Sequence, residues 1–393
     1  MDHERLSRAR AAMAASGMDA LVCRLPENVV MLSGHWPLNG FSFLLFPREG
    51  TPAIIVPHCD EREAKDELWD AECVSFVYGV LAAGDPYLDI AAHLKRMSEG
   101  RGWNRIGVER GFETVAPPWN AAEPAVPAAM TDAMFESVFG AARVGDATGL
   151  LMELRARKTP DEAQKLRTVN EISAFGLEAF REAADVGVSG VELVAAVERA
   201  VMVKGTGYHG ARRVRAFAQV ATGANETAVA YRPMEISTTR RLRDGDTALL
   251  ELAVVADGFW ADRTRPRVVG LASESKRALF DTLVRAQDAA IRAVAPGTQT
   301  GDVDRAARSI VREAGWTDEA FLHVTGHSLG FRYHEPVPMI LPDGIVELEA
   351  GMVHTVEPGV YVAGAGGMRV EDDVLVTDEG AEVLGPADRT LFS

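Results

Sequence analysis

The sequence GDTALLELAVVADGFWADRTR, residues 245–265, decides how the rest of the chain is interpreted. Two apolar runs flank Asp257-Gly258, a dipeptide that favours tight hairpin turns, so we predict a two-stranded hairpin here. Each run contains one acid, Glu251 in the first and Asp262 in the second. An ionised carboxylate inside a buried strand is costly unless a cation meets it. The hairpin therefore predicts a cationic partner for both acids.

Two registers of this hairpin are open. If the turn is centred on the Asp-Gly dipeptide, Asp262 lies diagonally across from Glu251 on the same face of the hairpin. If it is centred one residue earlier, the two acids face each other. Both registers place two carboxylates within reach of a common ion. Ion pairs with Arg263 or Arg265 would explain the same acids without a metal.

Two later segments repeat the pattern of one acid inside an apolar strand. Glu357 lies in GMVHTVEPGVYV (351–362) and Glu371 lies in GGMRVEDDVLV (366–376). Upstream of both, HVTGHSLGFRYHEPVP (323–338) contains His327 in a glycine-flanked turn. Four acids and a histidine in such settings predict a shared cation that is hard or borderline, because carboxylates dominate. The number of ligands suits two bridged divalent ions, with manganese expected and cobalt, zinc or iron as alternatives.

These residues resemble the pita-bread metallopeptidases, and within them the Xaa-Pro aminopeptidase, prolidase and creatinase branch. The matching motifs are ATGAN (221–225), TGHSLG (325–330), HEPVP (334–338), TVEPGVY (355–361) and MRVEDDVLVT (368–377). The resemblance covers essentially the whole chain and is strongest over residues 150–393. It implies an α+β fold: a smaller N-terminal α/β domain over residues 1–145, and a pita-bread catalytic domain of helices on a curved antiparallel sheet over residues 146–393.

The resemblance also implies a metal-ligand set in the family's order of Asp, Asp, His, Glu and Glu. The matching positions are Glu251, Asp262, His327, Glu357 and Glu371. In such a centre a metal-bridging hydroxide attacks the carbonyl carbon of a peptide or amide. Glu357 is predicted to take and return the proton. His334 is predicted to bond the developing oxyanion. His323 is predicted either to support the ligands or to contact the substrate.

Three further residues are predicted to bind substrate. Arg369 is two residues before Glu371 and shares its strand face. It can therefore pair either with a metal-bound carboxylate or with a substrate carboxylate. Tyr231 and Tyr361 are predicted to line the pocket.

Two departures from the family pattern bear on function. Glu251 stands where the family has Asp, and Ala230 stands where the family has a histidine after the ATGAN motif. The predicted activity is metal-dependent hydrolysis of a C–N bond in a small peptide or peptide-like amide, of the Xaa-Pro type. The missing histidine keeps a creatinase-like or ectoine-hydrolase-like enzyme open, acting on a small zwitterion. A non-catalytic binding module is the third alternative.

Composition excludes some partners. The net charge of −16 argues against nucleic acid and anionic membranes. No apolar run reaches the roughly 18 residues of a membrane helix. The few cysteines predict a reduced, cytoplasmic protein, and the resemblance implies a homodimer. In the N-terminal part, residues 29–32 are predicted to form a strand and residues 119–130 a helix.

Overall fold

The computed structural model describes residues 1–37, 41–81, 83–111, 129–232, 237–386 and 388–390. The chain forms two compact units, and the division falls between Arg155 and Ala156. The domain boundary at residues 145/146 stays a prediction. Among the described helices, none is long and apolar enough to cross a membrane.

The first unit is built on one mixed sheet. Its strands are β1 (Ala20–Cys23), β2 (Phe43–Pro47), β3 (Ala53–Pro57), β4 (Glu72–Phe76), β5 (Ile106–Val108) and β6 (Val144–Asp146). They are arranged in the order β4-β3-β2-β1-β5-β6, with β2 antiparallel to β1 and β3 and the remaining pairs parallel. The helices are α1 (His3–Ser16), α2 (Pro26–Ser33), α3 (Glu61–Glu67), α4 (Pro86–Ser98), α5 (Ala129–Phe139) and α6 (Thr148–Ala156). This is the α/β architecture that the sequence predicts.

The strand predicted at residues 29–32 is wrong, because these residues belong to helix α2. Pro26 occupies the first turn of the helix, and Gly34 ends it in the left-handed conformation at φ 80°. A short apolar run fits a buried helix and a buried strand equally well, so the flanking Pro and Gly decide between them. Of the helix predicted over 119–130, residues 119–128 lie outside the described part of the chain.

The second unit combines long helices with antiparallel sheets. The helices are α7 (Pro160–Ala183), α8 (Gly190–Gly205), α9 (Gly223–Thr227), α10 (Glu274–Ala293) and α11 (Thr300–Glu313). The strands are β7 (Val214–Thr222), β8 (Thr247–Ala256), β9 (Phe259–Val268), β10 (Gly326–Ser328), β11 (Glu335–Ile340), β12 (Val353–Val356), β13 (Gly359–Val362), β14 (Gly366–Arg369), β15 (Asp372–Thr377) and β16 (Gly380–Val383). They form the sheets β7-β8-β9, β11-β10-β12-β15-β16 and β13-β14.

Local sequence explains where the helices of this unit begin. Thr159 and Glu162 form a reciprocal capping box at the start of α7, and Ser189 and Glu192 do the same for α8. Helix α7 packs closely on the sheet β7-β8-β9 at Gly176. A Cβ atom at this position would lie 2.7 Å from a methyl group of Leu252. These contacts hold one face of β8 and β9 against helices and leave the other face for the acids.

The hairpin of β8 and β9 turns at Asp257-Gly258. Both residues have positive φ, 47° and 89°, as a type I′ turn requires. The Asp257 carboxylate accepts hydrogen bonds from two backbone N–H groups before β7, which anchors the turn. Glu251 therefore pairs with Thr264, and Asp262 is diagonal to Glu251 on the same face. The structure thus selects the Asp-Gly register.

Candidate metal centre

The residues predicted as metal ligands lie on, or directly beside, strands of the second unit. They are Glu251 on β8, Asp262 on β9, His327 on β10, Glu357 after β12 and Glu371 between β14 and β15. A bridge between Thr264 and Glu371 joins β9 to the last of these segments. The first and last of these residues, Glu251 and Glu371, are 120 positions apart in the sequence, and the fold brings them to one largely buried region.

His327 is at the centre of this region. Its Nδ1 donates to the Ser328 carbonyl at 3.0 Å, so the Nε2 lone pair is free in the neutral ring. Nε2 lies 3.4 Å from Asp262 Oδ2 and 3.7 Å from Glu357 Oε1. The region contains two groups of three potential ligand atoms. Within each group, the atoms all lie within 4.8 Å of one another. One group is formed by Asp262, His327 and His334, and the other by His327, Glu357 and Glu371.

The electrostatics show that the positive charge in this region does not balance its buried carboxylates. Burial and the neighbouring Glu371 raise the pKa of Asp262 well above its usual value, and the same causes raise the pKa of Glu357 to about 8. Burial alone would lower the pKa of His327. The hydrogen bond to Asp262 and the charge of Glu357 outweigh it and raise this pKa to about 10. A divalent cation would relieve both effects, because it stabilises the ionised carboxylates directly.

One buried atom points to a missing partner. Oδ1 of Asp262 is buried and has no hydrogen-bond donor within the described residues. A buried carboxylate oxygen without a partner carries a desolvation penalty of roughly 1–3 kcal/mol or more. Together with Nε2 of His327, which can act as a ligand in the neutral ring, and the two glutamates, this donor set fits a divalent metal ion.

Glu251 occupies a different position from the other four. It lies outside both groups of ligand atoms. Its Oε1 accepts from the Tyr333 hydroxyl at 2.9 Å, and its Oε2 accepts from Arg369 Nη2 at 2.8 Å. The longer side chain of Glu, compared with the family's Asp, is thus held at the edge of the centre by one cationic donor, Arg369, and one neutral donor, Tyr333.

Arg369 connects several parts of the site. Its guanidinium donates to Thr264 Oγ1 (3.0 Å), the Tyr361 hydroxyl (3.0 Å) and the Ala230 carbonyl (3.1 Å). It also lies 3.4 Å from Glu371 Oε2. Of the two predicted roles, the structure shows Arg369 beside carboxylates of the centre itself.

The remaining predicted residues surround the centre. The His334 ring lies 4.3 Å from the His327 ring, and burial lowers its pKa well below the usual value, so it is neutral. His323 Nε2 lies 3.1 Å from the Tyr361 hydroxyl, and burial, followed by the charge of Arg369, lowers its pKa to about 3. Tyr231 packs edge-on against Tyr361 at 5.5 Å.

Three supporting residues were not predicted from the sequence. The Thr264 hydroxyl donates to Glu371, and the Thr355 hydroxyl donates to Glu357 at 3.1 Å while accepting the His327 N–H at 3.1 Å. Each threonine is two positions from a predicted ligand on a strand, so alternation along the strand could have identified it. Tyr333 has no such signal, because it lies in the irregular segment before β11.

The fold and the site together define a metal-dependent hydrolase of the pita-bread type. The model of "Metallopeptidase family M24" matches residues 164–378, more than half of the chain, and the model of the "Creatinase/Prolidase N-terminal domain" matches residues 5–157. The chain belongs to metallopeptidase family M24. The predicted family, the α+β pita-bread fold and the metallopeptidase class are confirmed.

Relatives with similar sequence and structure span the whole chain. A protein of Bacillus subtilis (strain 168) with the provisional dipeptidase name YkvY is 28% identical over 382 residues, covering 97% of both chains. The prolidase from Thermococcus sibiricus is 28% identical with a TM-score of 0.79, covering 100% of this chain and 99% of its own. The X-Pro aminopeptidase from Thermotoga maritima is 25% identical with a TM-score of 0.80, covering 97% and 99%. These likenesses support the predicted Xaa-Pro peptidase type of hydrolase.

Proposed function

We propose that this metallopeptidase hydrolyses the C–N bond of dipeptides and short peptides with proline in the second position. The observation that carries the proposal is the convergence of Asp262, His327, Glu357 and Glu371, with one buried carboxylate oxygen of Asp262 lacking a partner. The prolidase and X-Pro aminopeptidase names of the structural relatives support the substrate class.

These four side chains would hold two divalent ions, and Glu251 would be the fifth ligand. Manganese is the expected ion, since carboxylates dominate the donor atoms, with cobalt, zinc or iron as alternatives. When bound, the ions supply Lewis-acid polarisation of the scissile carbonyl and an acidified water. The Glu251 carboxylate has enough lone pairs to serve an ion while keeping its bond to Arg369.

The chain's own residues would move the protons. Glu357, oriented by the Thr355 hydroxyl, would accept a proton from the attacking water and return it to the leaving amine. The neutral His334 would donate a hydrogen bond to the oxyanion, an interaction worth about 3 kcal/mol in comparable sites. His323 and Tyr361 would help to position Glu357. His323 Nδ1 lies 3.6 Å from Glu357 Oε2, and His323 Nε2 is bonded to the Tyr361 hydroxyl.

A second candidate substrate rests on Ala230. Its side chain is buried in a small apolar cluster with Tyr231, Leu249 and Tyr361, at the position where the family has a histidine. A pocket that lacks this polar group favours a C–N substrate other than an Xaa-Pro peptide, such as a small zwitterion in a creatinase-like or ectoine-hydrolase-like reaction. Arg369, Tyr231 and Tyr361 are the proposed substrate-contacting residues in either case.

We further propose that the enzyme is a cytoplasmic homodimer. Its three cysteines, Cys23, Cys59 and Cys73, are all free thiols, which suits a reducing compartment. The dimer is proposed from the family resemblance alone.

The test begins with protein purified without chelator. Elemental analysis is expected to find up to two divalent ions per chain, and the protein should turn over Xaa-Pro dipeptides. Asp262→Asn should lose metal, whereas Glu349→Gln, at an exposed acid of the same unit, should not. Absence of bound metal after incubation with manganese, cobalt or zinc would refute the centre. Full metal content with turnover of creatine or acylated diamines, and none of any Xaa-Pro peptide, would replace the first substrate with the second.

A further inference from the structure

The face of β9 opposite the predicted metal ligands carries three arginines. Arg263, Arg265 and Arg267 alternate with residues of the other face, and all three are buried, with exposed fractions of 0, 6 and 6%. The first two have a counter-ion, because Asp372 Oδ1 lies 2.6 Å from Arg263 Nη2 and 2.7 Å from Arg265 Nη2.

Arg267 differs from its two neighbours because it forms no ion pair with a described acid. Like the same atoms of Arg263, its Nε and Nη1 are buried and have no hydrogen-bond acceptor in the part of the chain that the structure describes. Burial, followed by the charge of Arg181, lowers the pKa of Arg267, and Asp185 opposes this only in part. A guanidinium remains protonated in proteins. Arg267 is therefore a buried positive charge that has no acceptor on Nε or Nη1 among the described residues and is only partly compensated by Asp185, which is costly to the fold.

A cavity of about 280 Å³ lies against this arginine, between α7, the end of β9 and the residues Pro386, Asp388 and Thr390. Its apolar wall includes Phe180, Pro266 and Pro386. Its charged groups are three arginines and two acids, in chain order Glu178, Arg181, Arg265, Arg267 and Asp388.

Within this charged lining, Arg267 is the group left for a ligand. Arg265 is already engaged, because it donates to Asp372 and to the carbonyls of Asp388 and Glu371. Arg181 is exposed and adds positive potential at the mouth of the cavity. The cavity is at the small end of ligand sites, which usually measure about 300–1,000 Å³.

We propose that this cavity is a binding site for a small organic anion, separate from the metal centre. A carboxylate or a phosphate monoester group would accept a charge-assisted hydrogen bond from the Arg267 guanidinium. The ligand's apolar part would lie on Phe180 and Pro266. A ring the size of a benzene carrying one anionic group matches both the volume and the division of the lining into apolar and charged parts.

The test titrates the full-length protein with benzoate, phenyl phosphate and the neutral analogue benzamide at constant ionic strength. Calorimetry is expected to show binding of at least one anion and at least tenfold weaker binding of benzamide. The stronger of the two anions identifies the head group. Binding of benzamide equal to that of both anions would overturn the proposal.

Arg267→Met is the decisive variant, because it keeps the bulk of the side chain and removes its charge. It should weaken anion binding at least tenfold. Without ligand, its melting temperature should equal or exceed that of the wild type, since an unpaired buried charge is gone. Unchanged anion binding would place the ligand elsewhere, including at the metal centre, and would refute the site.

A crystal soaked with 4-bromobenzoate gives a second test if Arg267→Met fails to fold. The bromine anomalous peak is expected beside Phe180, with the carboxylate on Arg267. A peak only at the metal centre, or none in the cavity, would refute the proposal. Both tests are independent of peptidase activity, so the proposed substrate can fail while this site stands.

Discussion

Removal of metal should destabilise the protein by an amount set by the metal concentration relative to its dissociation constant. The centre places three carboxylates around His327, and burial raises the pKa of Asp262, Glu357 and Glu371. An ion that binds only the folded chain, present at 100 times its dissociation constant, stabilises it by about 2.7 kcal/mol. Since 1 kcal/mol corresponds to roughly 2–4 °C for a unit of 150–250 residues, chelation should lower the melting temperature by about 5–10 °C.

The matched variant Asp262→Asn should abolish the effect of metal on the melting temperature. In metal-free protein it removes a buried carboxyl whose ionisation is opposed by burial and by Glu371, and whose Oδ1 has no donor among the described residues, so its melting temperature should exceed that of the metal-free wild type. It should also lose the rise that metal produces. Differential scanning calorimetry with and without manganese measures both quantities, with Glu349→Gln as the surface control. An equal metal-induced rise in Asp262→Asn and the wild type would refute the ligand assignment.

Three further outcomes are expected. Glu251→Asp should retain metal and raise its affinity, because it restores the family's shorter ligand; isothermal titration with manganese measures this, and complete loss of binding would contradict it. Ala230→His should raise kcat on Xaa-Pro dipeptides by about 10²-fold or more if the substrate is a peptide; steady-state kinetics that show no gain, with metal bound, would favour the second substrate. Glu109→Gln should flatten the pH dependence of stability, because burial raises the pKa of Glu109 to about 7. Here the folded chain binds the extra proton, so the wild type loses stability as pH rises from about 4.5 to 7. Melting curves at pH 5 and 8 that are parallel for the two proteins would contradict this.

The hairpin shows how far local pattern reaches. The apolar runs and the Asp-Gly turn predicted β8 and β9, and strand alternation predicted that Glu251 and Asp262 share a face. The choice between two registers required the backbone conformation of Asp257 and Gly258. In the first unit the same kind of reasoning failed for residues 29–32, because a four-residue apolar run has no period that distinguishes a helix from a strand.

The sequence by itself determined the family and the fold class, and it predicted the acids and histidines of the proposed centre, of which the structure brings Asp262, His327, His334, Glu357 and Glu371 together. These follow from residue types at short spacings, which one chain displays in full. Only the tertiary structure decided that Glu251 is held by Arg369 and Tyr333, and that Arg267 lies unpaired beside a cavity. The physical reason is that each of these facts depends on which distant groups surround a side chain after burial. Arg369 and Glu251 are 118 residues apart, and no local pattern encodes their 2.8 Å contact.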